Sequence, residues 1–339
     1  MKFNSDKKET IIMYLLEKIF QKDKTVIQSV ADAFHISKTT VIHYLQELSD
    51  SEIIKKESRG VYHLVDTEYP LILSRKNGDF SRSEDRIFEN FVMPLISGIS
   101  EEAKIIWNYV FSEILNNALD HSEAETLKII VKRNFFNTTI TISDDGVGVF
   151  SKIQNHFHFE TLDDARCELF KGKVTTNPAM HSGEGIFFSS KLVDRFLIMS
   201  DGLTFEIDKY SDELNCRNEP TIKGTTVYME LSNNVKRKAA DVFNLFSDED
   251  MQFTKTILKI AMIFDMSPVS RSQAKRICHG LEKFKEVTLD FSDVTFIGQG
   301  FAHQVFVIFR SSHPEISIRP INMCPDVEMM IRHVSESSV

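Results

Sequence analysis

Cysteine is scarce in this chain of 339 residues, and its four copies, Cys167, Cys216, Cys278 and Cys324, are widely scattered. No CxxC pair occurs, which excludes a disulfide framework and the spacing of a zinc site and points to a reducing compartment. Long apolar runs are missing as well. The opening stretch MKFNSDKKETIIMYLLEKIF is too interrupted for a signal peptide, and no stretch reaches membrane-spanning length. A cytoplasmic protein with no membrane contact is therefore expected. Excess positive charge is also absent. The net charge of −9 excludes a protein that coats nucleic acid without specificity. There are no repeats and no low-complexity tract. Tryptophan occurs once, and Trp107 sits at helical spacing with Val110 and Phe111, as a core residue would.

What remains is the composition of an ordinary globular chain, 42% hydrophobic and 26% charged, long enough for roughly two or three domains. Residues 7–66 read as three helices and two short strands. Ile11, Ile12, Leu15, Leu16 and Ile19 recur at helical spacing; Thr25 is placed to cap TVIQSVADAF, and Ser37 to cap SKTTVIHYLQELSDS. IIKKESRGVYHLV then alternates around Arg59-Gly60 as a hairpin would. This order resembles the winged helix-turn-helix family over about sixty residues, with Ser37–Leu48 as recognition helix and Ile53–Val65 as wing. The resemblance implies that Lys38, Thr39, Thr40, His43 and Gln46 face groove edges or phosphates of double-stranded DNA, and that Lys55, Lys56 and Arg59 meet its backbone. Residues 1–66 hold ten Lys or Arg against ten Asp or Glu. Such a neutral module binds DNA modestly by itself, so a homodimer is expected.

Residues 67–84, with Pro70 and Gly78, suit a linker or a lead-in strand. Four short stretches then carry the chemistry of residues 85–232. FSEILNNALDHS is helical in its apolar spacing yet crowded with Glu113, Asn116, Asn117, Asp120 and His121. TTITISDDGVGVF is a strand ending at Asp144, followed by Gly146 and Gly148 in a tight turn. HSGEGIFFSSKLVDRF puts Gly183 and Gly185 ahead of a helix, where backbone N–H groups and the helix dipole favour phosphate. IKGTTVYMEL places Gly224, Thr225 and Thr226 at the start of a strand.

Any one of these is weak alone; in this order they resemble the four boxes of the GHKL ATPase superfamily, the Bergerat nucleotide-binding fold, over about 150 residues. The resemblance implies ATP and Mg²⁺ as cofactors. Asn117 would hold Mg²⁺ against the triphosphate, and Glu113, one turn earlier, would activate the attacking water or hydroxyl. Asp120 matches an acidic position near the adenine edge or the Mg²⁺ waters. Asp144 would accept the adenine amine, with Gly146 and Gly148 making room for the base. Gly183 and Gly185 would contact phosphates, and Thr225 would support the adenine pocket. The stretch from Ser151 to His181 would be the ATP lid, where Lys171 or Lys173 reaches the γ-phosphate or simply faces solvent. His121 reads as structural, and Asn116 as a surface or capping residue.

Residues 233–253 look like a helical connection. From 254 to 339, strands such as EVTLDF and EISIRPI alternate with helical stretches in a small α/β unit. VTLDFSDVTFIGQGFA resembles the STAS domains of anti-sigma-factor antagonists, and SRSQAKRICHGLEKF with INMCPDVEMMIRHV resembles a STAS-like domain of unknown function found beside GHKL ATPases. No serine stands at Gly298, Gln299 or Gly300, where antagonists are phosphorylated; Ser270, Ser272 and Ser292 are alternatives, and a docking platform for a protein partner is the plainer reading. The expected fold is α+β multidomain: a winged helix-turn-helix, a Bergerat α/β sandwich with a mixed sheet covered on one face by helices, and a small STAS-like α/β domain. The expected function is an ATP-binding and ATP-hydrolysing transcriptional regulator in which lid closure controls DNA binding or docking. A Ser/Thr protein kinase of the anti-sigma-factor type, acting on itself or a partner, is the alternative.

Overall fold

A computed structural model describes residues 5–58, 60–175, 183–209, 223–264 and 267–336. The chain packs as two units, Met1–Tyr69 with Val131–Thr139, and Pro70–Ile130 with Ile140–Val339.

The first unit holds three helices, α1 (Ser5–Phe20), α2 (Val26–Phe34) and α3 (Lys38–Asp50), then an antiparallel hairpin of β1 (Ile54–Ser58) and β2 (Val61–Leu64). Its core is Ile11, Leu15, Leu16, Ile19, Val26, Val30, Val41, Leu45 and Ile54, among others. The sequence dictates the joints. His35 adopts φ 52° and its N–H closes α2 on the Ala31 and Asp32 carbonyls, while the Ser37 hydroxyl accepts from Thr40 N to open α3. Thr25, expected to cap α2, makes no side-chain cap bond. Asp23 does the holding instead, accepting from Thr25 N, Thr25 Oγ1 and Ser29 Oγ at 2.7 Å each. Those donors lower its carboxyl pKa, Ser29 contributing most.

β3 (Thr67–Ser74) occupies the stretch expected to be a linker. A six-stranded sheet runs in the order β3-β4-β5-β8-β6-β7, with β4 (Thr126–Arg133), β5 (Asn137–Asp144), β6 (Arg195–Ser200), β7 (Leu203–Asp208) and β8 (Thr225–Ser232). β6 pairs antiparallel with both β7 and β8. Short helices α4 (Glu84–Ile87) and α5 (Met93–Leu95) precede α6 (Glu101–His121). The last begins where Ser100 accepts from Ala103 N and buries Ala103, Ile106, Trp107, Val110, Phe111, Ile114, Leu115 and Ala118, one continuous helical stripe. Next come α7 (Val149–Phe157), α8 (Leu162–Lys171), α9 (Gly185–Leu192) and α10 (Ala239–Phe246).

The C-terminal part is a three-stranded parallel sheet in the order β11-β10-β9, made of β9 (Lys255–Lys259), β10 (Glu286–Asp290) and β11 (Ser317–Ile321). Around it lie α11 (Ile260–Ile263), α12 (Arg271–Cys278), α13 (Gln299–His303), α14 (Arg310–Ser312) and α15 (Pro325–Glu336). One apolar cluster runs from Cys167 of α8 and Phe187 and Phe188 of α9 through Phe246 and Phe253 into Val287, Leu289, Phe301 and Val327. Cys167 and Val327, 160 positions apart in sequence, thus share one core.

Candidate functional site

Helix α6 presents one face to a cleft at the strand ends. Glu113, Asn117 and His121, spaced four apart, lie along that face with Ile114 and Ala118 beside them. Opposite are Ile142 and Asp144 of β5, Val147, Val149, Lys152 and Ile153, then Ile198, Thr225 and Val227. Leu169, Val174, Thr175, Gly183, Gly185 and Ile186 complete the wall. The cleft encloses about 1020 Å³ with its open mouth included, and most of its lining is apolar.

At one end, Asp144 accepts from Gly146 N at 2.9 Å. Burial raises this carboxyl to about 6, against bonds from the Gly146 and Thr225 N–H groups and helped by the Asp145 charge. Its neighbour goes the other way: the Asp145 carboxylate accepts from Thr126 and Glu125, which lowers its pKa. Two adjacent carboxyls therefore serve separate ends, one a partly desolvated acceptor facing the cleft and one a charged turn clamp. Gly224 stands at φ 78°, and an added Cβ would strike the Asp144 carbonyl, so glycine lets β8 approach β5 there. The Val149 N–H donates to both Ser200 Oγ (3.0 Å) and Thr225 Oγ1 (3.1 Å).

Gly146 and Gly148 do not line the cleft. A methyl on Gly146 would run into the Ser122 carbonyl, and one on Gly148 into the Asp201 carboxylate. Asp201 explains the second glycine: it accepts from Ser151 N at 3.0 Å and Ser151 Oγ at 2.6 Å, holding the start of α7. The two glycines seat the turn. Asp201-Gly202, a hairpin dipeptide between alternating strands, was the available signal for this residue.

At the other end, Val174 N donates to the Gly183 carbonyl at 3.1 Å, and Gly183 itself sits at φ 74°. Gly185 is the first residue of α9, and a Cβ there would collide with Glu113 Oε2. The Glu113 carboxylate thus rests at the positive end of α9, where a phosphate would also be favoured. Tyr109, one turn before Glu113, is half-buried against Phe243; burial raises its phenol pKa, with Glu113 and Glu184 adding to it.

Other expected positions fall elsewhere. Asp120 is exposed and lies outside the cleft lining, because it is rotated off the 113–117–121 stripe. His121, expected to be only structural, lines the cleft, and its carbonyl accepts from Lys152 Nζ at 2.6 Å. Lys152 had no motif to announce it. Neither Lys171 nor Lys173 lines the cleft. Lys171 is fully buried beneath the C-terminal sheet, and Lys173 lies over the rings of Phe253 and Phe284. Residues 176–181 of the expected lid lie outside the described residues.

In the first unit, Lys38, Thr39, His43 and Gln46 are exposed on α3, and Lys55 and Lys56 on β1. Thr40 is half-buried, its hydroxyl 2.8 Å from Ser37 Oγ in the helix cap. His43 pairs with Glu47, and Gln46 donates to Asp50, so acids share that face. Arg59 lies outside the described residues.

Comparison with known families finds three matching stretches. Residues 104–234 match the histidine kinase-, DNA gyrase B- and HSP90-like ATPase family. Residues 273–328 match a STAS-like domain of unknown function, and residues 1–75 match the Firmicute plasmid replication protein family RepL. No curated protein matches the chain. The chain carries a GHKL-type ATPase domain and a C-terminal STAS-like domain. The N-terminal match is to a plasmid replication family rather than to a winged helix-turn-helix family.

Proposed function

We propose that this protein is an ATP-controlled DNA-binding regulator. The observation that carries it is the cleft within the ATPase domain, where Glu113, Asn117, Asp144, Gly183, Gly185 and Thr225 converge from four separate stretches of sequence. The residues fit Mg²⁺-ATP. Apolar Ile114, Ile142, Val147, Ile198 and Val227 line the cleft with Asp144 as walls line a purine site, and Gly185, with no Cβ to meet Glu113 Oε2, lets that carboxylate come against the start of α9. No group of three or more His, Cys, Asp or Glu that could hold a metal occurs among the described residues. The metal would therefore arrive with the triphosphate, Asn117 Oδ1 supplying the protein ligand. Bound there, it would neutralise phosphate charge. Glu113 is then the base that orients and deprotonates water, Asp144 selects adenine through its exocyclic amine, and the N–H groups at the start of α9 receive phosphate oxygens.

The N-terminal unit is read as a winged helix. Three helices, with α3 capped by Ser37, and a β1–β2 hairpin support that reading, and the match to a plasmid replication family favours DNA as its partner. Exposed Lys38, Thr39 and His43 on α3, with Lys55 and Lys56 on the hairpin, make the contacts. ATP changes DNA affinity by its differential affinity for two states of the protein. For the kinase alternative, the Ser270 hydroxyl caps α12 and the Ser292 hydroxyl is bonded to Asp290, while Ser272 is exposed on α12.

The test is product analysis with Mg²⁺ and γ-labelled ATP, comparing wild type with Glu113→Ala and Asn117→Ala. Free phosphate that disappears in Glu113→Ala while nucleotide is still bound supports a hydrolysing switch. Label retained on the protein turns the assignment to a kinase. Absence of ATP binding by the wild type overturns it.

A further inference from the structure

Helix α8 reads as a polar lid segment, LDDARCELFK, yet most of it is buried, including Ala165, Cys167, Glu168, Leu169 and Lys171. Its partners come from the C-terminal domain. Lys171 Nζ donates to Glu168 Oε2 at 2.9 Å and to the carbonyls of Arg276 and His279 at 2.7 Å each. Those carbonyls lie at the C-terminal end of α12, which has no N–H partners of its own for them. An α8 ammonium thus satisfies the last turn of a helix in another domain, at the end where positive charge is favoured.

Glu168 reciprocates. Its Oε2 also meets His279 Nδ1 at 3.0 Å, Lys283 Nζ lies 3.6 Å from Oε1, and Gly280 at φ 75° is the residue whose missing Cβ makes space for that oxygen. Arg276 pairs with Asp164 near the start of α8, and Thr256 Oγ1 on β9 donates to the Lys171 carbonyl at 2.9 Å. Lys171 and Glu168 bond to each other within α8, and their other side-chain partners, the Arg276 and His279 carbonyls, His279 Nδ1 and Lys283 Nζ, all lie across the boundary. The segment that follows this anchor, Val174 and Thr175, together with Leu169 inside it, forms one wall of the nucleotide cleft.

From this juxtaposition we infer that Glu168, Lys171 and His279 are positioning residues for the nucleotide site, so that the STAS-like domain sets the Leu169–Thr175 wall and nucleotide in turn orders the α12 end of that domain. The inference rests on the ATP-binding role proposed above. By linkage the effect is reciprocal, since a domain that shapes the wall is itself shaped by the ligand. Helix α8 does not swing free as a lid; it moves with the C-terminal domain.

The test uses the full chain, a non-hydrolysable ATP analogue with Mg²⁺, and four proteins: wild type, Lys171→Met, His279→Ala and His279→Asn. His279 is half-exposed, so its variants keep the fold, and asparagine returns a donor near the Nδ1 position. Affinity is expected to fall about tenfold in Lys171→Met and about fivefold in His279→Ala, with His279→Asn close to wild type. Hydrogen exchange of residues 275–283 is expected to slow on analogue binding in wild type and His279→Asn, and to stay unchanged in His279→Ala. Equal affinity in all four proteins, or unchanged exchange in wild type with bound analogue, overturns the inference and leaves the nucleotide site standing. Failure of the wild type to bind the analogue overturns both.

Discussion

The two ends of the cleft are held by different means. At the Asp144 end, every support is local to the six-stranded sheet and α7: Gly146 N, the Val149 N–H shared by Ser200 and Thr225, and Asp201 on Ser151. At the Gly183 end, the wall hangs from α8, whose anchors are Arg276, His279 and Thr256, about a hundred residues further along the chain. The Asp144 end, built inside one sheet, keeps its shape alone. The Gly183 end, braced by another domain, takes its shape from that domain, as the proposed switch would require.

Breaking the brace should give the largest effect. Lys171→Met leaves the Glu168 carboxylate buried without its ammonium, and Glu168→Gln leaves Lys171 in the same position; each is expected to cost about 3–5 kcal/mol of stability, read by denaturant unfolding. Burial alone would raise the Glu168 carboxyl, but His279 and Lys171 outweigh it and hold it near 2. A carboxyl lowered on folding stabilises above its ordinary range. That contribution should disappear as pH falls from the ordinary carboxylate range toward 2, and it should be missing in Glu168→Gln.

The other end predicts the opposite sign. Asp144 is raised on folding, to about 6, so its charged form opposes folding above that pH and the penalty fades below it. Asp144→Asn is expected to stabilise the ligand-free protein at pH 7 by about 1 kcal/mol, after allowance for solvent screening, in a thermal melt. The same change should weaken ATP-analogue binding about 10- to 100-fold, because an amide cannot accept as a charged carboxylate does. In the wild type, analogue affinity measured by titration calorimetry should fall as pH drops below about 6.

Glycine variants sharpen the contrast at smaller scale. Gly183→Ala meets a left-handed backbone with the Val174 backbone 2.6 Å from the new carbon, and is expected to cost about 1–2 kcal/mol and to lower nucleotide affinity. In Gly148→Ala the atoms nearest the new carbon belong to the Asp201 side chain. It should loosen the α7 cap by about 1 kcal/mol and leave affinity nearly unchanged.

The readable parts of this molecule were those governed by near neighbours. The α2–α3 joint was legible because Ser37 and His35 lie next to the bonds they make, and Glu113 and Asn117 were legible because helical spacing puts them on one face. Asp120 failed by the same geometry, one residue off the stripe. The two Gly-x-Gly turns look alike in sequence yet do unlike work, since Asp201 and Ser122, which make Gly148 and Gly146 necessary, lie far from them or on another element. Helix α8 was the least legible. Its charges read as a solvated surface, and nothing within LDDARCELFK announces a partner at Arg276 or His279. Lys152 and Tyr109 were hidden likewise, as ordinary helical residues whose neighbours only the fold supplies.

The shared core of Cys167, Phe187, Phe188, Phe246 and Phe253 with the C-terminal sheet bears on how such a protein can be inherited. Family boundaries drawn along the sequence suggest parts that can be exchanged one at a time. Here an ATPase domain cut away from its C-terminal neighbour would expose an aromatic surface and two charges fitted to a missing helix end. Recombination at that boundary would be selected against, so these two domains are expected to descend as a pair and to vary together across the seam, with changes at Glu168 or Lys171 matched by changes near Arg276, His279 and Gly280.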